Sequence, residues 1–473
     1  MATINSALNL ITGALEADQS ALNIVANNVA NANTPGYTQQ VPNWQENALV
    51  QINGIDLGTG VTETGPTSVR DRVLEERLDQ QQQAASASST RLSALNSVQA
   101  LFAPDSGSSS STAGDIGSDT TSFFSSFSSL EANPTDNPLR EQVLSTARTL
   151  AGDVANAAAS LNEQRASLDQ EAAGIAGQVN SLIAAIAQLN TQIQATSPST
   201  DAGTLEDERQ QDLSKLSQLV GINLVTTENN GISVTTTSGE VLVSEGSSYA
   251  LTTGGVSGET HFFLGTSDIT SSLASGGGEL GGYLTARDQD IPQVLSALDQ
   301  FAYSIATQVN SLNNDGSDLS GTTGTAANPL YIFSEPGSVS GSGLSMSVVM
   351  TDPSQIAAAA QAKGSGDNSN ATALAALASQ GIVDGQTPSG FYSNFVTALG
   401  STVSEVETEN TAQNASVTQL QTMRDSLSNV DLNDEASLMQ QFERSYQAAS
   451  QVFTILNSVM TSALNLGVET AVS

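Results

Sequence analysis

The chain of 473 residues contains no cysteine. That excludes disulfides, thiol nucleophiles and cysteine-ligated metal, and it leaves the compartment open. Bases are scarce: 13 lysines and arginines stand against 48 aspartates and glutamates, a formal charge of -35. Such a chain is repelled by nucleic acid and by anionic lipid, so neither is expected as a partner. Aromatic residues make up 4% and there is one tryptophan, Trp44, so few bulky anchors hold a core. The one histidine, His261, has no second His or Cys to complete a triad, a dyad or a usual zinc set. It is expected to be a surface strand residue. No stretch reaches the roughly 18 consecutive apolar residues of a membrane span. The first basic residue is Arg70, so the start lacks the positive region of a secretory signal and no cleaved leader is expected.

What the chain does have is Ala, Ser, Gln, Asn and Thr in helical patterns, and enough length for two to four domains. Near the C-terminus, Met439, Phe442, Tyr446, Ala449, Phe453, Leu456, Met460 and Ala463 repeat in steps of three and four. That is the seam of a coiled coil. Val452, Ile455 and Val459 widen it, enough for more than one partner helix. Near the N-terminus, Ile4, Leu8, Ile11, Leu15, Leu22, Val25 and Val29 keep the same rhythm, broken by Asp18. A polar residue at such a position more often fixes register than does chemistry. The two ends are expected to pair, with the rest of the chain inserted between them.

Between the ends the pattern alternates. An Asn-rich run ends the first helix, and Thr34-Pro35-Gly36-Tyr37 makes a turn. Residues 38–69 read as extended, 68–102 as helix, and 104–118 as a Ser/Gly linker. Phe123, Phe124, Phe127 and Leu130 share one side of a short helix. Asn137-Pro138 opens the longest helix, reaching Ala195, with Gly174 and Gly177 as weak points. Residues 221–278 switch to period two and read as antiparallel β. Helices are expected over 280–312, near 371–378 and over 394–427. Strand-like pieces are expected at 330–333 and 344–350.

The fold class is mainly α with β insertions, nested and discontinuous. Residues 1–33 with 431–473 form a terminal coiled coil. Residues 34–220 with 279–430 form a long-helix bundle body, and 221–278 a small β domain; the Gly/Ser-rich 313–355 has no sharp boundary. Asp431, Asn433 and Glu435 mimic the start of a calcium loop, but capping of the terminal helix fits better. Gly276-Gly277-Gly278 lacks the lysine and context of a phosphate loop. No catalytic residue, metal or cofactor is expected.

Two segments carry a family likeness. Ala21 to Gln40, with its Asn run and Thr34-Pro35-Gly36-Tyr37, resembles the N-terminal signature of bacterial flagellar rod, hook and hook-associated proteins. Val430-Asp431-Leu432, Glu435 and Phe442 to Ala449 resemble their C-terminal signature. Phe123 to Leu150, and Gly277 to Pro292 with Arg287-Asp288, are similar to the hook-associated members at the hook–filament junction. The likeness is weakest over 313–390. It implies a secreted, structural, non-enzymatic subunit of the flagellum, exported through the flagellar type III channel without signal cleavage. It implies helical assembly with copies of itself, hook protein and the second junction protein as neighbours, and a cytoplasmic chaperone on the C-terminal helix. The interface residues would be the two seams named above, with Asn28, Asn31, Thr34, Pro35, Gly36 and Tyr37 as the signature turn. The alternatives are another flagellar axial protein, or a secreted coiled-coil adhesin or scaffold.

Overall fold

A computed structural model describes residues 2–34, 36–52, 55–103, 115–196, 202–256 and 258–469. Pro35 and residues 104–114, most of the expected linker, lie outside them, as do the side chain of Ile4 and residues 470–473.

The chain leaves from a helical base and returns to it. Helix α1 (Ala2–Asn31) leads into a long ribbon, β1 (Gln40–Glu46) paired with β4 (Val61–Ser68), whose tip carries the short pair β2 (Val50–Ile52) and β3 (Ile55–Leu57). Then come α2 (Arg72–Leu101), α3 (Ile116–Ala132) and α4 (Asn137–Thr196). Helix α2 starts four residues later than its apolar pattern suggests, because Asp71 caps it, accepting from the amides of Val73 and Leu74.

Helix α4 has 60 residues and is about 90 Å long at ~1.5 Å per residue. Glycines 174 and 177 do not interrupt it. It is long and apolar enough to cross a membrane by length and composition. Its apolar face is spent elsewhere. Val143, Leu150, Val154 and Leu161 are fully buried in the body core, and Val179 and Ile186 in the β-domain core. One rod therefore carries two cores. The body core also holds Phe123, which packs edge-on against Phe127 and Phe333.

Helix α5 (Thr204–Leu219) precedes the β region: a four-stranded antiparallel sheet, β5 (Ile222–Thr226), β6 (Ile232–Thr236), β7 (Val241–Ser244) and β8 (Ser247–Ser248), then a three-stranded one, β9 (Leu251–Val256), β10 (Glu259–Leu264) and β11 (Ser267–Asp268). Helices α6 (Thr270–Gly276) and α7 (Gly278–Thr285) close it. The glycines here serve packing: a side-chain carbon on Gly221 would collide with the Gly276 carbonyl, and one on Gly278 with the Val220 backbone. Arg287 ties this region to the rod. It is buried, pairs with Asp169 of α4 at 2.5 Å and with Asp288, and donates to the Thr260 carbonyl of β10 at 2.8 Å.

A π-helical segment, Ala286–Asp290, passes into α8 (Ile291–Asp315). The strands expected at 330–333 and 344–350 do not form. What remains is a single bridge, Phe333 to Val348, and one helical turn, α9 (Ser342–Ser345). The backbone here is held by side chains instead of by a ladder. Asn310 bonds the Ile332 and Phe333 backbone, Asn313 bonds the Leu330 carbonyl and the Ala357 amide, and buried Arg140 donates to the Pro134 and Ile356 carbonyls. Alternating apolar residues look like a strand whether the partner is another strand or an asparagine row.

After α10 (Ser369–Ala376), α11 (Pro388–Ser428) runs back along α2. It begins six residues before its apolar pattern because Thr387 caps it with Pro388 at the first turn. Polar residues of α2 face α11: Gln81 bonds Gln413, and Asn410 donates to Ser88 at 3.1 Å. Helix α12 (Leu432–Glu469) then pairs with α1. The last turns of α1 meet the first turns of α12, so the pair is antiparallel.

Candidate assembly interface

The terminal pair is thinly packed. Its buried apolar cluster is Ala21, Val25 and Phe442, flanked by half-buried Leu22, Leu438 and Met439. Trp44 of the β ribbon packs edge-on against Phe442, ring centres 5.9 Å apart. Beyond this point burial fades. Leu8, Ile11 and Leu15 on α1, and Ala449, Leu456 and Met460 on α12, are half-buried. Val29, Tyr446, Phe453 and Ala463 are exposed. On the helical wheel a second stripe lies roughly a quarter turn from the α1-facing one. It is formed by Val452, Ile455 and Val459, which are 42%, 60% and 47% exposed. Asp18, the break in the α1 seam, is buried.

The signature turn is a polar latch. Gly36 has φ +80°, which its lack of Cβ permits. The turn carries Tyr37 back onto Asn28, whose Oδ1 accepts from the Tyr37 hydroxyl at 2.8 Å and from the Gln40 amide at 3.0 Å. Asn28 Nδ2 donates to the Gln40 carbonyl at 2.8 Å and to Glu435 Oε1 at 3.0 Å. Gln39 Nε2 reaches the same Glu435 oxygen at 2.7 Å. Burial, then the Asp207 and Glu435 carboxylates, push the Tyr37 hydroxyl up to about 12. Asn31 and Thr34 stay near the surface, bonded to each other at 3.2 Å and cohering the turn from outside.

Glu435 is the residue that pattern reading placed among the acids complementing the helix N-terminus. Asp431 does cap α12, accepting from the Asn433 amide at 2.8 Å. Glu435 is instead completely buried, and its Oε2 has no hydrogen-bond partner among the described residues. A buried carboxylate met by two amides and no cation is costly unless those amides stay in place. Gln39, Gln40 and the pairing of Asn28 with Glu435 were not legible; the last spans 407 positions.

The latch joins the body through one short loop. The Gln39 amide donates to the Ser428 carbonyl at 2.9 Å, and the Thr38 amide to Asp207 of α5 at 3.4 Å. His261, by contrast, lies on β10, half-buried, with Nδ1 2.6 Å from Asp268 Oδ2.

These features define a class: a nested chain whose two ends pair into a partly uncovered apolar coiled coil, latched to a long-helix body. The family model described as the flagellar hook-associated protein FlgK helical domain matches residues 105–327, and the flagella basal body rod protein model matches residues 8–38. Flagellar hook-associated protein 1 of Bacillus subtilis is 26% identical over 503 residues, covering 96% of each chain. That of Escherichia coli is 23% identical over 555 residues, 98% of this chain and 100% of its own. That of Salmonella typhimurium is 28% identical over 333 residues, 68% of this chain; the match spans 59% of the Salmonella protein's length. The flagellar hook junction protein FlgK from Burkholderia pseudomallei shares the fold, with a TM-score of 0.65 at 20% identity over 75% of this chain and 100% of that one. Over most of its length the chain is similar to flagellar hook-associated proteins.

Proposed function

We propose that the chain is a structural subunit of the hook–filament junction, assembling with copies of itself, between hook protein and the second junction protein. The observation that carries this is the uncovered stripe of α12. Val452, Ile455 and Val459 stand in water beside the already paired seam. Covering each would gain roughly 1–2 kcal/mol, and packing by several neighbours multiplies it. A single-chain protein has no reason to keep such a stripe, whereas a head-to-tail array buries it at every subunit.

The same stripe before assembly is an aggregation hazard, which is the physical case for a cytoplasmic chaperone on α12. Export through the flagellar type III channel goes with this reading. The role needs no chemistry, and the chain's one histidine is occupied by Asp268.

The test replaces Ile455 or Val459 with Asp in a motile strain. Filaments should be lost, and flagellin should appear in the medium, while the purified variant melts as the parent does. Normal filaments from both variants would contradict the proposal.

A further inference from the structure

Two acids of α2 have no part in the latch or the stripe. Glu75 and Asp79 stand one helical turn apart and are buried, 8% and 2% exposed. They face a cleft of about 450 Å³ at the joint, walled by Thr34 and Tyr37 of the signature turn, Gln211 of α5, and Arg424, Asp425 and Ser428 at the end of α11. This is where the loop from the terminal pair is fastened to the body, through Ser428 and Asp207.

The charges around the two acids do not balance them. Arg70 is the nearest cation, its Nε 3.5 Å from Glu75, but that nitrogen makes no hydrogen bond among the described residues. The Arg70 guanidinium is committed to Asp207 and Glu206, and Arg72 also goes to Glu206, at 3.0 Å. Arg424 lies on α11 beside its own Asp425, with which it pairs at 2.5 Å. Lys215 of α5 lines the cleft but pairs with Asp212 at 3.0 Å. Asp79 receives one neutral hydrogen bond, from Gln210 at 2.8 Å, and has Glu75 and Glu76 as acidic neighbours. Burial accordingly raises both carboxyls, each to about 7.

We propose that the joint between the terminal pair and the body is a proton-sensitive hinge, with Glu75 and Asp79 as its sensors. It is tight in mild acid and looser at neutral pH. The sign follows from linkage. In an opened, wetted joint both acids return to ordinary carboxyl values near 4, so the closed joint binds more protons between about pH 4 and 7. Raising the pH through that window favours opening, and the effect levels off above the closed-state value.

The experiment is amide hydrogen exchange of the full chain from pH 5 to 8.5, corrected for intrinsic exchange, following peptides that cover 36–46 and 425–440. Protection there should fall roughly tenfold or more between pH 5 and 7.5, while the core of α4 stays protected. Trp44, packed edge-on against Phe442, supplies a fluorescence readout of the same change. Glu75→Gln and Asp79→Asn, each alone and then together, should progressively flatten the response in the closed state. Glu208→Gln, an exposed acid on α5, should leave it intact. A flat parental profile, protection that rises with pH, or an undiminished response in folded single variants would overturn the proposal.

Discussion

The two ends of the molecule and its middle are built from the same helix-forming residues, yet they bury them differently. In the body Phe123, Phe127, Leu144 and Leu150 are sealed from water, and the core runs on through α8 to Ile356 and Leu374. In the terminal pair the buried cluster has three members, and Ile455 is 60% exposed. The body satisfies itself. On the proposed reading, the ends are half of an interface. What unites the ends is a polar latch, and polar contacts give direction where apolar area is short.

The comparison can be attacked from its strongest side first. Phe127→Ala should cost about 3–5 kcal/mol, because the surrounding helices cannot close the hole; chemical denaturation followed by helix content measures it. A loss near zero would mean that the body core is not the stabilising unit. Asn28→Ala should cost about 1–3 kcal/mol, confined to the terminal pair, because Glu435 is left buried beside an empty place. Its readouts are faster exchange in α1 and α12 and altered Trp44 emission, with the main unfolding transition unmoved.

Smaller effects sharpen the contrast. Gly177→Ala in the rod should gain about 0.5–1 kcal/mol, since a methyl there meets nothing within 4 Å and the helix loses only backbone freedom. Ile455→Ser should change monomer stability by less than about 0.5 kcal/mol, yet abolish assembly into filament-bearing structures. Equal stability losses for Ile455→Ser and Phe127→Ala would erase the distinction between the two regions.

Much of this is legible in the sequence. The three-four spacing located both terminal helices, and Phe123, Phe124, Phe127 and Leu130 marked the side of α3 that is indeed buried. Period two located the β region. The misreadings have local causes. Capping by Asp71 and Thr387, rather than apolar spacing, set where α2 and α11 begin. At 330–350 the partner of the extended backbone is an asparagine row on α8, which no local pattern announces. The same holds for Glu435: a helix-start acid looks solvated until the other end of the chain is laid on it. The Arg287 and Arg140 segments were noticed by resemblance, but their work as buried ties to distant carbonyls needed the fold.

The central claim is that the ends are incomplete until neighbours cover them. Amide hydrogen exchange of residues 449–463, compared with residues 143–161 of α4 in the same sample, addresses it directly. The dilute full-length monomer should exchange far faster over 449–463 than over 143–161, and the gap should close when the protein is assembled. Equal protection of both segments in the dilute monomer would contradict the account.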